Sequence, residues 1–134
     1  MKKYVYSKSE AFNAPSYIKP VGKYINKVID GAYKIEFKSN MCIVYMRMYY
    51  QIPSRYQDQG ADMSLKEMRF IINITSYANK LRINLTEDTE YEKTIGQLIL
   101  AEDDLKDLNT IKYKVMKMIR KSIAKEYEGY EFIY

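Results

Sequence analysis

The sequence predicts an α+β fold: an antiparallel sheet of two hairpins plus a fifth strand, packed by a long C-terminal helix and a short N-terminal helix. Three observations predict it. Apolar residues alternate with period two over 33–37, ahead of an apolar strand, and again over 68–85. An apolar stripe at helical spacing runs from Asp103 to about Glu126. The chain is 134 residues long, the size of one domain. Hydrophobic residues make up 47% and charged residues 29%, a globular balance rather than a disordered or fibrous one. One domain over 1–134 is expected, with 1–19 as an N-terminal arm, 51–66 as a long polar loop and 130–134 as an aromatic tail.

Helix 1 is predicted between Pro20 and Gly31, where Val21, Tyr24, Ile25, Val28 and Ile29 recur at helical spacing, with Pro20 near the first turn and Gly31 just past the cap. Tyr33, Ile35 and Phe37 then alternate with Lys34, Glu36 and Lys38 as a half-buried strand, and Ser39–Asn40 turns the chain. In that register Phe37 shares a face with Cys42 and Ile35 lies opposite Val44. The strand Met41 to Tyr50 is apolar on its other face too, through Met41, Ile43, Tyr45 and Tyr49, so cover on both sides is expected. The stretch 51–66, with Pro53, Asp58 and Gly60, has no periodicity and reads as a long loop, either functional or a tolerated disordered insertion.

In the second hairpin Met68, Phe70, Ile72 and Ile74 alternate with polar residues, Tyr77–Lys80 turns, and Leu81, Ile83 and Leu85 alternate again. Ile74 should face Ile83, and Ile72 should face Leu85. The outer face carries Arg69, Asn73 and Thr75 beside Arg82, Asn84 and Thr86, with Ile71 breaking the polarity, as in a sheet wetted on one side. Thr94 to Leu100 is the fifth strand, and Gly96 marks a bulge or a close approach. The helix from Asp103 to about Glu126 would be a rod of roughly 35 Å. Glu102, Asp103, Asp104 and Asp107 at its start, and lysines in its later turns, complement its dipole. Gly129 ends it, and 130–134 alternates like a short strand.

Histidine is absent, which removes the commonest general base and zinc ligand. The five glycines are scattered singly, so no phosphate-binding loop is present. Cys42 has no histidine to activate it and apolar neighbours, which reads as a core thiol. Glu87, Asp88, Glu90 and Glu92, with Glu102, Asp103 and Asp104, could ligate Mg²⁺ only if separate elements converged. Link and cap residues describe them more simply. A nuclease-like set of Glu90, Glu92 and Lys93 ranks below both readings that follow. The expectation is a non-enzymatic chain with no cofactor and no metal.

Compartment follows from similar reasoning. A single cysteine excludes an internal disulfide. Lys8, Glu10 and Lys19 interrupt any signal-peptide run after Met1–Lys2–Lys3, and nothing approaches a membrane span. A cytoplasmic location is expected, in the host cytoplasm or a virion if the chain is phage-encoded. The excess of Lys, Ile, Tyr and Asn over Gly, Ala and Pro is the mark of AT-rich codons, as in a low-GC bacterium or its phage.

Two surfaces remain as candidates. Tyrosine supplies 15 residues with no tryptophan, and tyrosine with methionine enriches contact surfaces. Protein-partner contacts, homo- or hetero-oligomeric, are therefore expected on the loop at Arg55, Tyr56 and Gln57, and on the tail at Tyr130, Phe132 and Tyr134. The function expected is an interaction or structural subunit of a larger assembly, in concrete form a phage virion or head-to-tail connector component. The alternative is a small basic nucleic-acid-binding or host-factor-inhibiting protein. Its net charge of +5 and its stripe of Lys114, Lys117, Lys121 and Lys125 would track phosphates, although a solvated helix face has the same pattern.

Overall fold

A computed structural model of the chain describes residues 13–51, 66–128 and 131–133. The architecture is α+β. Helix α1 (Pro15–Val28) leads into strands β1 (Ala32–Lys38), β2 (Met41–Gln51), β3 (Lys66–Tyr77), β4 (Lys80–Glu87) and β5 (Lys93–Leu100). A 3₁₀ turn (Glu102–Lys106), helix α2 (Leu108–Glu126) and strand β6 (Glu131–Ile133) complete it. The first five strands form an antiparallel meander in sequence order, and β6 adds to β2.

Helix α1 starts five residues earlier than its periodicity suggests. Pro15, not Pro20, occupies the first turn, where a missing N–H costs nothing, and Pro20 sits inside the helix. Pro15–Lys19 therefore belongs to the helix rather than to an arm, and its Tyr17 and Ile18 are buried. The cap also differs, because Ile29 takes it by donating to the Ile25 carbonyl, and Asp30 separates it from Gly31. Gly31 has φ +89° and its carbonyl accepts the Arg47 N–H at 3.0 Å; a Cβ there would strike the Arg47 carbonyl oxygen.

Both hairpins have the register that alternation predicts. Phe37 pairs with Cys42 and Ile35 with Val44 in the first; Ile74 pairs with Ile83 and Ile72 with Leu85 in the second. The second turn is tighter than Tyr77–Lys80: those two residues pair, leaving Ala78 (φ 44°) and Asn79 (φ 63°) as a two-residue loop. Left-handed conformations at both positions match the twist of the flanking strands. Asparagine adopts this region at lower cost than alanine does. In β5, Gly96 serves both expected purposes. The register shifts beside it, and a Cβ would lie 2.8 Å from Ser122 Cβ and 2.9 Å from Met118 Sδ, so its absence lets α2 approach the strand.

The C-terminal helix is shorter than expected. Its 19 residues span about 28 Å, because Asp107 is extended (φ −133°, ψ 116°) and caps it by accepting the Asn109 N–H at 3.0 Å. Asp103 and Asp104 lie in the 3₁₀ turn instead, and no acidic residue occupies the first turn of α2. The Asp104 carboxylate accepts the Ala101 N–H at 2.9 Å and pairs with Lys114 at 2.7 Å, which ties turn to helix.

One core lies between the sheet and the two helices, centred on Met46, Phe70, Ile72 and Ile83 below Ile25, Ile111 and Ile119. Both helices cover the same side. Among the described residues no helix covers the other face of β2, where its two-sided apolar pattern predicts cover. Ile43 is buried there, yet Arg47 and Tyr49 are exposed.

Cβ-free packing also occurs at Gly22 of α1, where a Cβ would meet the Cys42 sulfur. Gly22→Ala, worth about 1 kcal/mol of stabilisation at an open helix position, is expected to destabilise by about 1–3 kcal/mol here. Cys42→Ala should recover most of that loss, which a double-mutant cycle by urea unfolding measures. Ala78→Gly is expected to raise the unfolding free energy by about 0.5 kcal/mol by relieving the left-handed alanine, read as a higher urea midpoint at unchanged slope.

Candidate functional site

The four stripe lysines come together on one flank of α2. Lys114, Lys117, Lys121 and Lys125 rim a groove of about 470 Å³ whose floor is Ile95 and Leu98 of β5 with Met118. They are not equivalent, since Lys114 is engaged by Asp104 and Lys117 stands 5.8 Å from the Tyr113 ring. A wider hollow of about 940 Å³ on the opposite flank shares Lys117 and Lys121 and adds Lys112, Tyr113, Met116 and Arg120, with Val28 and Asp30 across from them. Tyr113 is 64% exposed. At the end of the stripe Glu126 accepts from Lys93, joining α2 to the start of β5. Burial, and then the Glu126 charge, raise the Glu87 carboxyl above its ordinary value.

The loop residues Arg55, Tyr56 and Gln57 and the tail residues Tyr130 and Tyr134 lie outside the described residues. Phe132 lies in β6, its backbone opposite Tyr50. Because Tyr49 and Tyr50 also pair with β3, β6 occupies the edge of β2 that β1 leaves open beyond Met46. The tail is thus a strand of this chain's own sheet.

A second surface escaped the sequence reading as a unit: the sheet face away from the helices. Register places Arg47 directly opposite Arg69, with Glu67 3.5 Å from one and 3.7 Å from the other. Two guanidinium groups share one carboxylate there. Like charges facing each other across a ladder are unfavourable, so this pair leaves one positive charge uncompensated. Arg47 also stands 4.8 Å from the Tyr33 ring, which lies 6.4 Å from Tyr45. Tyr45 donates to Glu36 at 3.0 Å, and Lys34 pairs with the same carboxylate, which those two bonds hold below the usual range. At the far end Arg82 stands 4.9 Å from the Tyr77 ring. Between these clusters run Asn73, Asn84 and Gln97, with Gln97 donating to Asn84 at 3.1 Å. The signal was present in the odd-numbered positions of β2 and β3, where Tyr45, Arg47, Tyr49, Arg69 and Tyr77 share one parity.

Cys42 is wholly buried, and burial pushes its thiol up to about 11. Among the described residues no three Asp, Glu or Cys side chains come together as a metal site, and no helix is long and apolar enough to cross a membrane. Comparison with known proteins finds no matching family model, no matching curated protein and no matching solved structure.

Two expectations follow from these titrating groups. Native Cys42 should resist iodoacetamide at pH 8 and react only as fast as the chain unfolds, which mass spectrometry of the labelled chain reads. A carboxyl raised by folding holds its proton longer in the native state, so Glu87 lowers stability as pH climbs from its unfolded value through its folded one. Glu87→Gln should therefore raise the melting temperature more at pH 7 than at pH 4.

Proposed function

We propose that the chain is a non-catalytic interaction subunit of a larger assembly, with the sheet face opposite the helices as its principal contact surface. One observation carries the reading. Both helices pack on one side of the sheet, which leaves tyrosines and arginines standing on the other, and these residue types dominate binding surfaces. The tail is a further proposed contact: β6 is bonded to β2 along one edge, and its second edge can take a strand from a neighbouring chain. The loop residues Arg55, Tyr56 and Gln57 are proposed contacts on the ground of loop length and composition. A phage virion or connector component remains the concrete form of the proposal, on composition alone.

A second reading, nucleic-acid binding along α2, is favoured by the convergence of Lys114, Lys117, Lys121 and Lys125 on one groove. It requires that duplex bind as well as single strand and that reversing Lys117 and Lys121 to Glu abolish binding.

Light scattering tests the first reading. The purified chain is expected to exceed 15.9 kDa as concentration rises, and Tyr33→Ala with Tyr77→Ala should return it toward that monomer mass with little change in its urea midpoint, since both rings are exposed. A particle of 15.9 kDa at every concentration, for both proteins, overturns self-assembly through this face.

A further inference from the structure

The face that the helices leave uncovered has a composition that selects its ligand, and the inference rests on the reading that this face is the binding surface. From the geometry we infer that it binds single-stranded nucleic acid, with bases stacking on its tyrosines and phosphates meeting its arginines.

Charge supplies the first argument. By register β1–β4 present Lys34, Lys38, Arg47, Arg69, Lys80 and Arg82 on this face against Glu36 and Glu67, while Asp88 after β4 acts on Tyr45 and β6 sets Glu131 opposite Gln51. Six cations still outnumber these acids, and Glu36 is already engaged by Lys34 and Tyr45, Glu67 by two arginines. A polyanion would relieve the repulsion between Arg47 and Arg69 that the fold leaves in place. Three of the chain's five arginines stand on this face. Arginine suits phosphate because its planar fork donates two parallel hydrogen bonds.

Aromatic placement supplies the second. Tyr33, Tyr49 and Tyr77 are each more than 40% exposed. The cations beside Tyr33 and Tyr77 stand 4.8 and 4.9 Å from the ring centres, and a cation on one side of a ring leaves the other side for a base. From the row of Tyr45 and Ile71 to Tyr77 is six residues along β3, or about 20 Å, room for several nucleotides. The intervening amides of Asn73, Asn84 and Gln97 can donate to and accept from base edges. Thr75 Oγ and Arg82 Nε, cross-strand neighbours on the same face, are buried atoms with no hydrogen-bond partner among the described residues.

A duplex fits this surface less well, because its bases are stacked on one another and its grooves admit a helix or a ribbon rather than a flat sheet. The helix groove lacks the combination, since one of its four lysines is held by Asp104 and lysine stacks poorly.

The test is fluorescence anisotropy with the full chain and labelled oligonucleotides of about 15 nucleotides, as oligothymidylate, oligouridylate and a duplex of equal length. Single strands should bind at low salt at least about tenfold tighter than duplex. The DNA and RNA arms show whether the 2′-hydroxyl matters. Tyr33→Ala with Tyr77→Ala should weaken binding about tenfold or more, whereas Tyr33→Phe with Tyr77→Phe keeps the rings and should keep the affinity. Arg47→Ala with Arg69→Ala should flatten the slope of log K against log salt by about 1.4. Reversing Lys117 and Lys121 should change affinity less than about threefold on the same scale. Duplex preference overturns the inference, and so does binding that survives the tyrosine truncation but falls with the lysine reversal. If no oligonucleotide binds while the tyrosine truncation still lowers the solution mass, the inference fails and the contact-surface reading stands. If neither responds, both fail.

Discussion

The pairing of β2 with β3 is the constraint on which the rest of the structure depends. Ten residue pairs, from Met41 with Thr75 to Tyr50 with Lys66, join the two longest strands at the centre of the sheet. A slip of one residue would exchange every side chain between faces, because successive residues of a strand point to opposite sides. With the observed register Cys42, Val44, Met46 and Met48 stand beside Phe70, Ile72 and Ile74, all buried, and the apolar stripes of both helices have one continuous surface to cover. The same register sets Arg47 against Arg69 on the reverse side. Core and candidate surface are thus two consequences of one alignment.

Among the described residues the helices cover one side of the sheet only, and what the reverse face contains makes that arrangement stable. Tyrosine lays an apolar ring over the sheet while keeping its hydroxyl in water or in a hydrogen bond, as Tyr45 does with Glu36. Burial of Ile43 and Ile71 at 7% and 8% exposure, with neither α1 nor α2 above them, belongs to the same side-chain layer. Such a face can stand exposed without the aggregation hazard of an aliphatic one, and it keeps rings and cations ready for a ligand.

Helix α2 combines two roles that its sequence mixes. Ile111, Val115, Ile119 and Ile123 fill the core, while the opposite arc carries lysines and Tyr113. Its ends are tied by carboxylates from different sources: Asp107 caps the start, Asp104 reaches back to Lys114, and Glu126 holds Lys93 at the foot of β5. Gly96 is what permits the helix to lie this close to the strand.

Both hairpin registers were legible in the sequence, because period-two alternation and a short turn act between near neighbours and admit one in-phase pairing. So was Gly96 as the site of a bulge or a close approach, and so was the thiol of Cys42 as a core group. Helix limits were less legible. Periodicity starts the first helix at Pro20, and the burial of Tyr17 and Ile18 against the core carries it back to Pro15. Asp107 interrupts an apolar stripe that looks unbroken, since capping depends on backbone angles that periodicity does not report. The union of β2 with β3 across residues 52–65, the return of β6 to β2, and the gathering of Tyr33, Arg47, Arg69, Tyr77 and Arg82 on one face are non-local. Tertiary structure alone decided them, because contacts between distant segments are set by which apolar faces can be buried together, and no local pattern carries that information.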